Sequence, residues 1–176
     1  MSKVWFGIGS NRDRAHNVRA GVKALHDAFA GPQTPLHISR VFESEAVGFV
    51  GHSFYNLVAW VETTVPLLDV LARCKAIERQ HGHDSRAPRF SPRTLDIDIL
   101  LYDDEVCSTP IQLPRAEILT NAFVLWPLAE LSAEQCHPVL KKTFAELWQS
   151  YTGQQQLAPI ALEFESLPYL VFPSNV

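Results

Sequence analysis

The sequence predicts an α+β fold in which one sheet carries helices packed against it. Three observations lead there. Short apolar, β-branched runs alternate with stretches whose apolar residues recur at helical spacing, and the two kinds follow one another in the order βαββαβ before further helices. The 176 residues, 47% hydrophobic and 19% charged, also supply enough apolar material for the core of one compact domain.

Val4 to Ile8 is a short apolar run ended by Gly9-Ser10-Asn11, the pattern of a buried strand that turns sharply into a loop. From Asn17 onward Val18, Val22, Leu25 and Phe29 recur at helical spacing, and Gly31-Pro32 stops the helix. His37 to Glu45 is the expected second strand. After a loop holding Gly48 and Gly51, the aromatic and β-branched run Phe54 to Thr63 is its partner across a long connection. Pro66 opens a second helix with Leu67, Leu71, Cys74 and Ile77 as its apolar stripe, ending near Gly82. His83 to Pro92 is polar and basic, without a hydrophobic period, and reads as a surface loop of the kind that carries function.

An acidic strand follows. Asp103-Asp104 then marks a turn, Leu113-Pro114 a break, and Phe123 to Leu131 another apolar element. Thr143 and Glu146 form a capping-box signature for a last helix through Tyr151. Residues 1–152 are therefore expected to be one domain and residues 153–176 a C-terminal extension. In the extension Ile160 to Phe164 has strand character and Leu167 to Phe172 is apolar and proline-bounded. It is expected either to fold back onto the domain or to supply a contact between subunits.

The chemistry is concentrated in Pro92-Arg93-Thr94-Leu95-Asp96-Ile97-Asp98-Ile99-Leu100-Leu101-Tyr102. Side chains alternate between strand faces, so Leu95, Ile97, Ile99 and Leu101 are expected on one face and Asp96 and Asp98 on the other, about 6.6 Å apart at two residue rises. Two carboxylates that close raise one another's pKa unless a cation sits between them. A solvated edge strand can carry two aspartates for solubility alone. The basic lead-in of Arg86, Arg89 and Arg93, with Phe90 between them, favours the other reading, because guanidinium forks grip phosphate oxygens. All-oxygen carboxylate ligation suits Mg²⁺ completed by substrate phosphates.

Composition excludes other classes. A formal net charge of −4 disfavours nucleic-acid binding by bulk electrostatics. Cys74, Cys107 and Cys136 are odd in number and lack C-x-x-C pairing, so neither a disulfide framework nor a zinc site is expected. The absence of a signal h-region and of any 18-residue apolar span points to a cytoplasmic protein without membrane partners. Gly7-Ile8-Gly9 lacks the third glycine of a dinucleotide fingerprint, and His81-Gly82-His83 lacks a third metal ligand nearby.

The collinear set of Gly9-Ser10-Asn11, Phe54-Tyr55-Asn56, Ile77-Glu78, Pro92 to Leu101 and Phe123 to Leu128 resembles the 6-hydroxymethyl-7,8-dihydropterin pyrophosphokinase family of the folate pathway, from about Val4 to Tyr151. The resemblance implies a ferredoxin-like αβα sandwich with a mostly antiparallel sheet, ATP as co-substrate and two Mg²⁺ ions bridging its triphosphate. By position it implies Asp96 and Asp98 as metal ligands and Arg89, Arg93, Asp96 and Asp98 as the catalytic set. Ser44, Val47, Phe54, Asn56, Phe90 and Phe123 fall at the pterin, and Lys75, Glu78, Arg86, Arg93, Ile99 and Arg115 at the ATP.

Several positions depart from the family pattern. Phe90 stands where tryptophan is common and Phe54 where tyrosine is, each keeping a flat apolar face. On the nucleotide side Pro114-Arg115 replaces Pro-His, Asn121 an arginine and Lys75 a glutamine, while His83 and Ser85 meet the usual loop arginines. Pro110 and Gln112 likewise replace nucleotide-contacting residues, and Ser44-Glu45-Ala46 stands for Thr-Pro-Pro. Two readings result: an active Mg²⁺- and ATP-dependent pyrophosphokinase, or a pterin-binding paralogue with lost or altered nucleotide use.

Overall fold

A computed structural model describes residues 1–45, 53–82 and 94–173. Its elements run β1 (Ser2–Ser10), α1 (Arg14–Phe29), β2 (Leu36–Ile38), β3 (Val41–Ser44), β4 (Phe54–Thr63), α2 (Leu67–Gln80), β5 (Asp96–Tyr102), α3 (Glu117–Thr120), α4 (Ala122–Leu131), α5 (Phe144–Gln149), β6 (Leu157–Ile160) and β7 (Leu170–Val171). The sheet order is β5-β1-β4-β2-β7, with β3 continuing beside β4 where β2 ends and β6 outside β3. Among the described residues only the β2–β7 pair is parallel. The expected α+β sandwich with a mostly antiparallel sheet is thus the fold.

Two buried clusters define its layers. On one face, Val4, Phe6 and Ile8 of β1 and Leu57, Ala59 and Val61 of β4 pack with Val18, Val22 and Leu25 of α1 and Val70, Cys74 and Ile77 of α2. On the other, Trp5, Val58, Leu100 and Leu101 meet Val124, Leu125 and Leu128 of α4 and Phe144 and Leu147 of α5. Val70 takes a fully buried place in α2, whereas Leu67 and Leu71 are only partly buried. The α1 helix approaches the sheet through Gly21, where a Cβ would lie 2.9 Å from Leu95 Cδ1.

Three strand expectations change in the structure. The single strand over residues 37–45 breaks into β2 and β3. At the break Ser39 N donates to Val58 O at 2.8 Å and Ser39 Oγ accepts from Val58 N at 2.9 Å, so a side chain replaces one rung of the ladder. Leu101 leaves the face of Leu95, Ile97 and Ile99, because a register shift opposite Trp5/Phe6 inserts Leu100 and sends both Leu100 and Leu101 to the α4 side. The extension's strand forms at Leu157–Ile160 rather than at 160–164.

The extension is stitched to the sheet and to α1. Leu36 N donates to Tyr169 O at 2.8 Å and Arg19 Nε to Glu163 O at 2.7 Å, while Leu162, Phe164 and Leu167 pack on the first cluster. The last helix starts as expected, with Glu146 N donating to Thr143 Oγ1 at 3.1 Å. Trp126 of α4 joins it through rings, with Phe42–Trp126, Trp126–Trp148 and Trp148–Tyr151 centroids 4.9, 5.2 and 5.4 Å apart. Among the described residues no helix is long and apolar enough to cross a membrane.

Candidate functional site

Sheet register assembles the site on the α4 face. Asp96 pairs with Gly9, Gly9 with Asn56, and Asn56 with Phe42, so four strands contribute one row. The next row is Asp98, Gly7 and Val58. With strands about 4.8 Å apart, the Asp96 and Asn56 backbones lie roughly 10 Å from one another with only a glycine between them. The two glycines of β1 leave a trough whose floor is backbone, with carboxylates along one rim and an amide on the other. A Cβ on Gly9 would stand 2.7 Å from Asn56 Oδ1, so the trough is closed to any side chain at that point.

The acidic rim is held from behind by a buried carboxylate. Glu78 of α2 is 3% exposed. Its Oε2 accepts from Ile97 N at 2.9 Å, and its Oε1 accepts from Lys75 Nζ at 3.2 Å. Ile97 lies between the two aspartates, so Glu78 caps the open side of β5 and sets the direction of both acids. Asp98 is half-buried and has Arg115 Nη2 3.4 Å from its Oδ1. Arg115 also reaches Glu117 Oε2 at 3.4 Å, and its backbone N–H donates to Leu100 O at 3.0 Å.

Burial pushes the Asp98 carboxyl above the usual aspartate range. Arg115 and Lys75 pull it back, while Glu78 and Glu117 push it further up. The native state therefore keeps this proton to higher pH than the unfolded chain. Since the native state then binds more protons, stability falls as pH rises from the ordinary aspartate value through the native one, and is level above it. Urea unfolding of the metal-free protein beside Asp98→Asn, from about pH 4 to pH 8, is expected to show an advantage for the variant that grows with pH. An advantage independent of pH contradicts the account.

On the amide rim, buried Asn56 donates through Nδ2 to Ser44 Oγ at 2.7 Å. Phe54 pairs with Ser44 in the next row of β4 and β3, and half-buried Phe123 packs on the α4 side. The side chain of Ile99 is buried in the first cluster, which leaves only its backbone for a ligand. The turn after β1 is anchored to the start of the acidic strand, since buried Ser10 donates to the Thr94 carbonyl. Of the expected site residues, Val47, Arg86, Arg89, Phe90 and Arg93 lie outside the described residues.

The structure thus brings Ser44, Phe54, Asn56, Asp96, Asp98 and Phe123 to one face of the sheet, with Arg115 at Asp98 and with Lys75 and Glu78 behind β5. Sequence reasoning passed over Gly7 and Gly9 as site-forming residues, although glycines two apart in a strand share a face and mark a close approach. It also passed over Glu117. Among the described residues no group of three or more His, Cys, Asp or Glu is placed to hold a metal ion. Two carboxylates are nonetheless the usual protein share of a Mg²⁺ site that phosphates complete.

Residues 5–133 match the family model for 7,8-dihydro-6-hydroxymethylpterin-pyrophosphokinase. The chain is 32% identical over 149 residues to the 2-amino-4-hydroxy-6-hydroxymethyldihydropteridine pyrophosphokinase of Aquifex aeolicus (strain VF5), spanning 83% of this chain and 90% of that one. It is 35% identical over 138 residues to the Pseudomonas aeruginosa protein of the same name, spanning 76% and 83%. Among solved structures, Plasmodium falciparum HPPK-DHPS with pteroate superposes with a TM-score of 0.65 at 16% identity, covering 85% of this chain and 42% of that one, a likeness of fold.

Proposed function

The chain belongs to the 7,8-dihydro-6-hydroxymethylpterin-pyrophosphokinase family, and from that premise we propose that it transfers pyrophosphate from Mg-ATP to 6-hydroxymethyl-7,8-dihydropterin in folate biosynthesis. The observation that carries the reading is the trough itself, in which Asp96 and Asp98 share a face with Asn56 across glycine. Asn56, already fixed by Ser44, is the amide that would orient a flat heterocycle, and Phe54 and Phe123 supply apolar walls for its faces. The hydroxymethyl group then points along the row towards Asp96.

In the transfer the alcohol oxygen attacks the β-phosphorus, the bond from that phosphorus to the α-phosphate's bridging oxygen breaks, AMP leaves with that oxygen, and the alcohol's proton is released to solvent. Mg²⁺ held by Asp96 and Asp98 would neutralise charge on the transferred group and the leaving AMP. The residues fit that ion. Both carboxylates face one space, and burial, which pushes the Asp98 carboxyl above its usual range, disfavours its charged form until a cation is bound there. Glu78 keeps the pair aimed through Ile97, and Arg115 lies where it can pass from Asp98 to a phosphate oxygen. Catalysis on this reading is positioning plus electrostatics.

A second reading, a pterin-binding paralogue with lost or altered nucleotide use, draws on the nucleotide side. There Arg115 is shared between Asp98 and Glu117, and Lys75 is paired with Glu78. Incubating the purified protein with ATP, Mg²⁺ and the pterin alcohol separates the two. AMP and a pterin pyrophosphate in equal amounts support transfer. No AMP with the pterin still bound supports the paralogue, and no pterin binding removes both.

A further inference from the structure

Resting on the pterin reading above, we propose that Gln155, in the extension beyond the part of the chain that matches the family model, is a positioning residue that fixes one wall of the pterin cleft. The extension leaves α5 at Tyr151, whose hydroxyl donates to Thr120 O at 2.9 Å. It then crosses that ring at Gly153, where a Cβ would stand 2.2 Å from the Tyr151 hydroxyl oxygen. Two residues later Gln155 Oε1 accepts from Ala122 N at 2.7 Å, and its Nε2 lies 3.5 Å from Asn121 Oδ1. At Leu157 the chain joins the sheet, opposite Ser44 of β3.

Two of these contacts, at Gln155 and at Leu157, lead to the residues read as cleft walls. Ala122 is buried and is the first residue of α4, directly before Phe123. Asn121, at the N-cap, makes no side-chain cap of its own. The first amides of a helix have no intrahelical acceptor, and a buried one left without a partner destabilises the turn it begins. Gln155 supplies that acceptor from 33 residues away. Ser44, at the other end of the strap, is the hydroxyl to which Asn56 donates. Residues 151–157 therefore tie the Phe123 wall to the Ser44–Asn56 wall at a fixed separation.

Hydrogen exchange and calorimetry on the full chain test this. Gln155→Ala is expected to speed exchange of the amides of residues 122–124 about tenfold, and to weaken binding of the pterin alcohol about five- to tenfold with ATP affinity within about twofold. Gln155→Glu is expected to restore both, because its carboxylate still accepts from Ala122 N and a negative charge suits a helix N-terminus. Unchanged exchange in Gln155→Ala overturns the tether whatever the wild type binds. Equal weakening of both ligands, or no rescue by glutamate, overturns the positioning role. A wild type that binds no pterin overturns the parent reading and, with it, the role given to Gln155.

Discussion

Asp98→Asn is expected to lower kcat about 10²–10³-fold while the folded protein becomes no less stable at neutral pH. The substitution keeps volume and one acceptor oxygen but removes the charge that, beside Asp96, would hold Mg²⁺ against the triphosphate. Loss of a divalent ligand reduces transition-state stabilisation directly, so the defect belongs in kcat and in the Mg²⁺ concentration needed for half-maximal rate. Stability moves the other way, since burial disfavours the ionised Asp98 carboxyl and a neutral amide escapes that penalty. Steady-state rates across a Mg²⁺ titration, with urea unfolding of the same preparations, check both halves. A large activity loss accompanied by an equally large loss of stability would mean that Asp98 holds the fold together and not the ion.

Gly9→Ala is expected to raise the KM for the pterin alcohol about 10–100-fold with a small effect on the KM for ATP. The added methyl would sit 2.7 Å from Asn56 Oδ1 and 3.6 Å from the Tyr55 carbonyl. Asn56 is buried and already donates to Ser44, so it cannot swing aside without surrendering that bond. Whichever group yields, the amide that would orient the heterocycle is misplaced. Gly7→Ala is the internal control. Among the described residues its methyl meets nothing nearer than Leu100 Cδ2 at 3.4 Å, an ordinary contact, and it is expected to alter the pterin KM by less than about threefold. Initial-rate measurements on both variants decide the matter, and equal effects at the two positions would contradict the register argument.

Much of this was legible because it follows from period two. The alternation that sends Asp96 and Asp98 to one face and Leu95, Ile97 and Ile99 to the other is a property of any strand, and the structure keeps it over that span. The helical stripes ending at Gly31-Pro32 and near Gly82 were legible for a similar reason, since glycine and proline punctuate the backbone wherever they occur. What escaped depended on groups that meet only after folding. The shift that places Leu101 beside Leu100 comes from a mismatch with Trp5 and Phe6 on the neighbouring strand. The break at Ser39 arises because a hydroxyl can stand in for a carbonyl, and no pattern of apolar residues records that. Gln155 is a polar residue in a polar stretch, and nothing local marks it as the partner of Ala122. Arg86, Arg89, Phe90, Arg93 and Val47 fall outside the described residues and stand as expectations.

The returning C-terminal segment also changes what the molecule shows to its own kind. Without β6 and β7, the backbone amides and carbonyls of β3 and β2 would form an open ladder on which the strands of another copy could add and grow into fibres. The segment replaces that ladder with two short pieces, of four and two residues, the longer interrupted by Pro159, which has no amide to offer. Along that margin two short pieces, one of them carrying a proline, are a poorer template for strand addition than the ladder they cover, a consequence unconnected with phosphate chemistry.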